Sequence, residues 1–289
     1  MSIPNLVDSD VGNTLDTTIV CTVDVSGSNR YALVLIGQRT LNTVSSVTFG
    51  SDDLTELGSI YNDDDSAVHI WRLKQPTVNT GVTVTITFSG SMVESATAWV
   101  GSFEDVDQTT PLGSYVSAIE DGVDPHNFTI TGDIDDYMVG VINAEYGDPI
   151  AITSGNTATE LYSHDAGSYH SFFAYKVSTA GDFEFSFDVG TGTHTAYNGV
   201  AVKGLSIVNT LDVTTLDKDG EPLNNVECFL FEDNLDKTLT FKESVLSNQS
   251  GIASFSVSDT NPNYTVVARR DDDPHIMDVT DFTLQPSEP

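Results

Sequence analysis

The sequence predicts an all-β protein: a large jelly-roll-like β-sandwich with an internal repeat over about residues 1–206, followed by a small β-sandwich over 207–289. Three observations predict it. Apolar residues recur with a period of two, and amphipathic helical periodicity is almost absent. Short clusters of Gly, Asn, Asp, Ser and Thr separate the apolar stretches, as turns require. The order of these stretches in the first half of the large domain returns in its second half.

Taken along the chain, Tyr31 to Ile36 (YALVLI) is a near-continuous apolar run and reads as a central strand. Ala67 to Lys74 (AVHIWRLK) is a second strand, stopped by Gln75-Pro76. Val82 to Phe88 (VTVTITF) alternates cleanly: Val82, Val84, Ile86 and Phe88 face one way and three threonines the other. Phe183 to Val189 (FEFSFDV) repeats that pattern. The repeat sets YALVLIG, VTFGSDDLTELGS, AVHIWRLK, GVTVTITF and ATAWVGSF against DYMVGVIN, ITSGNTATELYS, SFFAYKV, GDFEFSFDV and TAYNGVAV. Both halves share Thr-Glu-Leu, at Thr55 to Leu57 and Thr159 to Leu161. Neither half alone offers a closed core, so both are expected to share one jelly-roll-like sandwich; two separate small sandwiches are the alternative.

From about Ile207 the texture changes. A strand, an Asp219-Gly220 turn with Pro222, and a second strand are followed by SNQSGIASFSV, NYTVVARR and DVTDFTLQP. That makes a domain of about 80 residues with six or seven strands.

Composition narrows the function. There are 43 acidic residues against 11 basic ones, a formal net charge of -32, and 31 of the acids are Asp. Binding DNA or RNA needs Lys and Arg to neutralise phosphate, so nucleic acid is not an expected partner. Anionic membrane surfaces are disfavoured on the same ground. Self-repulsion at this charge opposes compaction in dilute buffer, and molar salt, with a screening length of about 3 Å, removes most of it. The balance reads as halophilic, with an ordinary acidic secreted or marine protein as the alternative. The N-terminal stretch MSIPNLVDSD has no basic segment and no apolar run, so no secretory signal is read there, and no stretch is long and apolar enough to span a bilayer. Cys21 and Cys228 fall on inward strand positions and read as small buried side chains, not as a disulfide framework.

Two resemblances add to this. Asp219 to Val226 (DGEPLNNV), Ser250-Gly251-Ile252-Ala253 and Tyr264 to Ala268 (YTVVA) resemble the transthyretin-like, carboxypeptidase-regulatory-like group of Ig-type sandwiches. That resemblance implies a spacer or docking module without catalytic residues, and the acidic tract Asp271 to Asp273 departs from its pattern. Leu54-Thr55-Glu56-Leu57-Gly58, the aromatic strand His69 to Pro76, and Phe103 to Pro111 (FEDVDQTTP) resemble sandwich domains of tailed-virus structural proteins. This implies a capsid decoration, turret or tail-associated protein, and together with the acidity a virus of a halophilic archaeon. A virion component made in the host cytoplasm needs no export signal.

The search for chemistry returns no catalytic, cofactor or metal residues. No Gly-x-Ser-x-Gly elbow stands on a strand–turn–helix. Glu104, Asp105 and Asp107 form one compact carboxylate group at a strand end, the only candidate for a glycosidase pair, and chance clustering explains it better in so acidic a chain. Four Asp-rich loops suit calcium loosely: Asp63 to Asp65, Asp133 with Asp135 and Asp136, Asp217 with Asp219, and Asp271 to Asp273. None follows the EF-hand spacing; around Gly220, Thr215 would take the first ligand place and Val226 the last. No His-x-x-x-His pair suggests zinc. The candidate sugar-stacking aromatics are Trp71, Trp99, Tyr146, Tyr162, Tyr169 and Tyr197; of these Trp71 and Trp99 sit inside strands and read as core, whereas Tyr146 and Tyr169 lie in loops and read as the better exposed candidates. Asn127, Asn248 and Asn263 head glycosylation sequons.

The expectation is therefore a non-catalytic structural protein on a virion surface, homo-oligomeric and contacting other virion proteins, with a host glycan or receptor as a possible partner. A carbohydrate-binding adhesin or receptor-binding module is the first alternative and a jelly-roll glycoside hydrolase the second.

Overall fold

The computed structural model describes residues 3–283 apart from 40–41, 63–65, 93–94, 123, 146–148, 168, 180, 191–193, 206–207, 218, 234–238, 259–262 and 271–272. Strands account for the regular structure throughout, and no described helix is long and apolar enough to cross a membrane. Two units divide between Leu205 and Ser206.

The first half of the larger unit contributes β1 (Asn5–Thr14), β2 (Thr18–Val25), β3 (Tyr31–Gln38), β4 (Val44–Phe49), β5 (Asp52–Asp53), β6 (Thr55–Asn62), β7 (Ser66–Lys74), β8 (Asn79–Phe88) and β9 (Ala96–Glu104). They form an inner sheet in the order β1-β9-β3-β7-β6 and an outer sheet β2-β8-β4-β5, every pair antiparallel. This alternation between two sheets is jelly-roll connectivity. The second half contributes β10 (Leu112–Asp121), β11 (His126–Ile130), β12 (Tyr137–Glu145), β13 (Ala151–Ile152), β14 (Thr159–Asp165), β15 (Tyr169–Val177), β16 (Phe183–Asp188) and β17 (His194–Val202). Its inner sheet β10-β17-β12-β15-β14 and outer sheet β11-β16-β13 reproduce the first half strand for strand, without a counterpart of β5.

Register repeats as well as order. Tyr31 of β3 lies between Phe103 and Lys74, and Tyr137 of β12 between Val202 and Val177. Thr55 faces Arg72 and Thr159 faces Tyr175, and in both edge strands the register then slips at the shared Thr-Glu-Leu, leaving Leu57 and Leu161 as the extra residues. Both leucines turn into the same interior.

The β-sandwich class and the internal repeat are as the sequence predicts, but the expectation that neither half closes a core of its own is corrected. Each half is a jelly roll with its own core. In the first, Ile19, Cys21, Val34, Val47, Val84 and Ile86 meet between inner and outer sheets. In the second, Phe128, Ile142, Phe172, Phe185 and Phe187 do so. A third core joins the two inner sheets back to back: Leu33, Leu35, Ile70, Trp99 and Phe103 against Tyr137, Val139, Val141, Phe173 and Val200. The physical reason lies in the strands. β3, β9, β12 and β17 have apolar residues on both faces because both faces are covered. The alternating strands β2, β8 and β16 are outer strands, with one face to water.

The smaller unit has β18 (Val208–Thr214) paired with β21 (Ile252–Ser258), and β20 (Leu239–Leu246), β19 (Glu227–Asp233), β22 (Asn263–Arg270) and β23 (Asp273–Thr283) in a second sheet. Val213, Val226, Cys228, Leu230, Ala253, Phe255 and Val266 fill the space between. The Asp219-Gly220 turn forms as expected: Gly220 adopts φ 85°, open to glycine without strain, and its N–H donates to the Asp217 carbonyl at 3.1 Å.

Candidate functional site

The compact acidic segment Glu104 to Asp107 lies where β9 leaves the first jelly roll for the second. Glu104 Oε1 accepts from Asn5 Nδ2 at 2.6 Å. Val106 between the acids is wholly buried and bridges to Gly204. Asp107 Oδ1 accepts the backbone N–H groups of Thr109 (2.7 Å) and Thr110 (3.1 Å). Burial raises the Asp105 carboxyl, with the Glu104 charge adding to it. Burial acts upward on Asp107 too, but the hydrogen bonds from Thr110 and Thr109 outweigh it and hold that group low. Such opposite shifts are what an acid–base pair needs. Here they belong to a junction: Asp107 shapes the turn that starts the second repeat.

A second constellation is absent from the sequence reading. Glu120 Oε2 lies 2.8 Å from His126 Nδ1, and His126 Nε2 lies 3.0 Å from Thr195 Oγ1. The connectivity is that of carboxylate, imidazole and hydroxyl nucleophile. His126 and Thr195 are both wholly buried, and the Thr195 hydroxyl donates its proton to the Glu120 carbonyl. Burial depresses the His126 pKa, more than the neighbouring Glu120, Asp124 and Asp121 raise it. The group holds β10, β11 and β17 together, on residues too far apart in sequence for any motif to show.

A third polar cluster joins the two inner sheets at the end remote from Tyr31. Asn143, wholly buried in the apolar strand β12, donates to the Gln38 carbonyl (3.0 Å) and to Ser66 Oγ (2.9 Å) of the first jelly roll. Ser66 Oγ returns a hydrogen bond to the Asn143 carbonyl at 2.8 Å. Ser171 Oγ is bonded to Asn143 Oδ1 (2.8 Å) and to the Tyr169 hydroxyl (2.7 Å). Asn198 donates to the Val68 carbonyl at 3.1 Å, again from one half to the other. Beside them the buried Glu145 forms an ion pair with Arg39. Gly37, opposite, has no room for a side chain: a Cβ there would lie 2.6 Å from Ser171 Oγ and 3.0 Å from Asn143 Oδ1. A polar residue inside a near-continuous apolar strand was the available signal.

The Asp-rich loops divide. Asp136 is wholly buried; its Oδ2 accepts from Asp133 N at 2.8 Å, and burial raises its pKa. Lys203 Nζ pairs with Asp133 at 3.1 Å. Asp217 Oδ1 accepts from Asp219 N (2.8 Å) and Glu221 N (2.9 Å), and these backbone bonds hold it low. Asp63 to Asp65 and Asp271 to Asp272 lie outside the described residues, as does the Asp273 side chain. Among the described residues no group of three or more His, Cys, Asp or Glu is placed to hold a metal. Thr215 and Val226 are buried framework positions; the Thr215 hydroxyl is bonded to the carbonyls of Leu223 and Gly251.

Of the aromatics, Trp99 is core and Tyr197 stacks on Phe128 with centroids 4.6 Å apart. Trp71 is half-buried against the first jelly-roll core, and Tyr162 lies 6.4 Å from Phe173. The reading of Tyr169 as an exposed loop residue is corrected: it starts β15 and is wholly buried, because the strand begins two residues before the apolar run does. Tyr146 lies outside the described residues. Cys21 and Cys228 are buried thiols. Asn127 is exposed on β11, and Asn248 Oδ1 caps the Ser250–Ile252 turn; the Asn263 side chain lies outside the described residues.

No protein-family model matches the chain, and no curated protein matches it. Among solved structures, native alpha-2-macroglobulin from Escherichia coli spanning domains MG0-NIE-MG1 aligns over 98% of this chain and 97% of its own at 11% identity, with a TM-score of 0.20. The Bacillus anthracis TIE protein aligns over 93% and 69% at 11% identity, with a TM-score of 0.27. Likeness at that level carries no argument about fold or function.

Proposed function

We propose that the chain is a non-catalytic structural protein of a virus-particle surface, adapted to high salt and assembled in symmetric copies with other virion proteins. The observation that carries this reading is the use made of the interior polar groups. Asn143 with Gln38 and Ser66, and Asn198 with the Val68 carbonyl, spend hydrogen bonds joining one jelly roll to the other, and Ser171 braces Asn143 from within the second. A four-layer stack tied in this way is a stiff building block, and jelly rolls serve that purpose in viral capsids among other roles. The resemblance of Phe103 to Pro111 to tailed-virus proteins supports the setting, and the net charge of -32 supports the salt adaptation.

The test is to purify particles from the source culture, count this chain by quantitative mass spectrometry, and label it with gold-conjugated antibody. Many copies per particle with label on the outside are expected. Absence from washed particles would refute the proposal.

A further inference from the structure

We propose that the first jelly roll carries a groove that takes one acidic pyranose, a hexuronate residue of a glycan. This goes beyond the structural role and stands whether or not the chain sits on a particle. The groove lies at the Tyr31 end of β3, between the last residues of β7 and the segment that links the jelly rolls. Its volume is about 460 Å³, within the range of small-molecule sites and generous for a bare inorganic anion.

The internal repeat supplies its own control. The places of Tyr31, Thr55, Arg72 and Lys74 in the first jelly roll are those of Tyr137, Thr159, Tyr175 and Val177 in the second. In the second, Tyr137 and Tyr175 stack with centroids 4.8 Å apart and planes 1° from parallel. In the first, Arg72 stands where that second ring would be, its charge felt by the Tyr31 hydroxyl, and Lys74 stands for Val177. One backbone thus holds a closed aromatic pair in one copy and an open cationic groove in the other.

Charge makes the difference informative. The chain has only 11 basic residues, and two of them line this one groove. None of the lining residues is acidic, and two carboxylates close to them in sequence are engaged elsewhere: Glu56 bonds His69 Nδ1 at 3.1 Å, and Asp107 caps Thr109 and Thr110. Lys74 gives one hydrogen to the Gln108 carbonyl and has two left. A guanidinium fork beside an ammonium suits a single carboxylate. Polyanions would be repelled by the surrounding surface. The hydroxyls of Thr55 and Thr109 can bond ring hydroxyls, and Leu73 with Pro111 offers an apolar floor to the C–H face of a sugar.

The experiment is an NMR titration of the isotope-labelled full chain in molar NaCl with a galacturonate disaccharide and with the matching neutral disaccharide. Saturable shifts are expected at the amides of Thr55, Arg72 to Lys74 and Thr109 with the uronate, and binding of the neutral sugar roughly tenfold or more weaker. Arg72→Gln should weaken uronate binding by a similar factor with the fold kept. Arg72→Tyr, which rebuilds the pair seen in the second copy, should abolish it; if that variant does not fold, Arg72→Gln decides. No saturable shift with the uronate, equal binding of the neutral sugar, or tighter competition by an acidic peptide would each overturn the assignment.

Discussion

Arg39 and Glu145 stand at the same place in the two jelly rolls, each eight residues beyond the tyrosine that opens its central strand, and they pair with each other. The duplicated position has acquired opposite charges. Glu145 is wholly buried and Arg39 is 20% exposed. Removing one partner strands a buried charge, which costs about 3–5 kcal/mol. Arg39→Ala and Glu145→Ala should each lose about that much in denaturant unfolding at molar salt. Replacing both with Met should recover most of the loss, since a buried pair contributes little over a packed apolar one. Single variants as stable as the parent would show the pair to be idle.

Gly37 occupies the place of Asn143 in the other copy. A methyl group there meets Ser171 Oγ at 2.6 Å and Asn143 Oδ1 at 3.0 Å. Gly37→Ala should destabilise by about 1–3 kcal/mol, the cost of overpacking. Adding Ser171→Ala, which removes the closer atom, should restore part of it, as a double-mutant cycle would show.

Acid should loosen the fold before the carboxylates titrate. His126 and His164 both have pKa values lowered from 6.5, first by burial. The folded state therefore takes up protons less readily than the unfolded chain. Their contribution to stability is full above pH 6.5 and is lost as the pH falls through that value toward the depressed folded ones. Asp136, raised by burial from 3.8, acts in the opposite sense. Thermal midpoints measured from about pH 8 to 5 at fixed molar salt should fall, and His126→Asn should flatten the slope.

Dilution should unfold the protein. At a net charge of -32, lowering salt from about 1 M to 0.01 M lengthens the screening distance from about 3 to 30 Å. The thermal midpoint by circular dichroism should drop across that range. A midpoint independent of salt would remove the halophilic reading.

The two thiols report on separate units. Burial, with a smaller contribution from the Asp10 charge, pushes Cys21 up to about 12, and burial also raises Cys228. Neither should react with a thiol reagent in the native protein. Mass mapping during a salt-dilution or denaturant series should show each label appear when its own unit opens.

Much of this architecture was legible in the residues. VTVTITF and FEFSFDV announced one-sided strands, and the shared Thr-Glu-Leu marked the same slip of register in both edge strands. What the unbroken run from Tyr31 to Ile36 meant was harder to see. Such a run states that both faces are dry without stating what dries them, so the back-to-back joining of two jelly rolls was missed. The Asn143 network was hidden for a related reason: its partners Gln38 and Ser66 are brought to it only by the stacking of the inner sheets. Arg72 and Lys74 read as the unremarkable polar end of a strand until the second copy, with Tyr175 and Val177, showed what the place holds when it is filled.

Covalent linkage of the two jelly rolls has a further effect. A pair of identical subunits must keep both outer surfaces the same, whereas a tandem pair is released from that symmetry. Here the strands of one outer sheet turn Val20, Thr22, Asp24, Thr83 and Thr85 outward, and those of the other Asn127, Thr129, Glu184 and Asp188. The pair of jelly rolls consequently has two outer faces of different chemistry, so a layer made from such pairs laid the same way up would be sided.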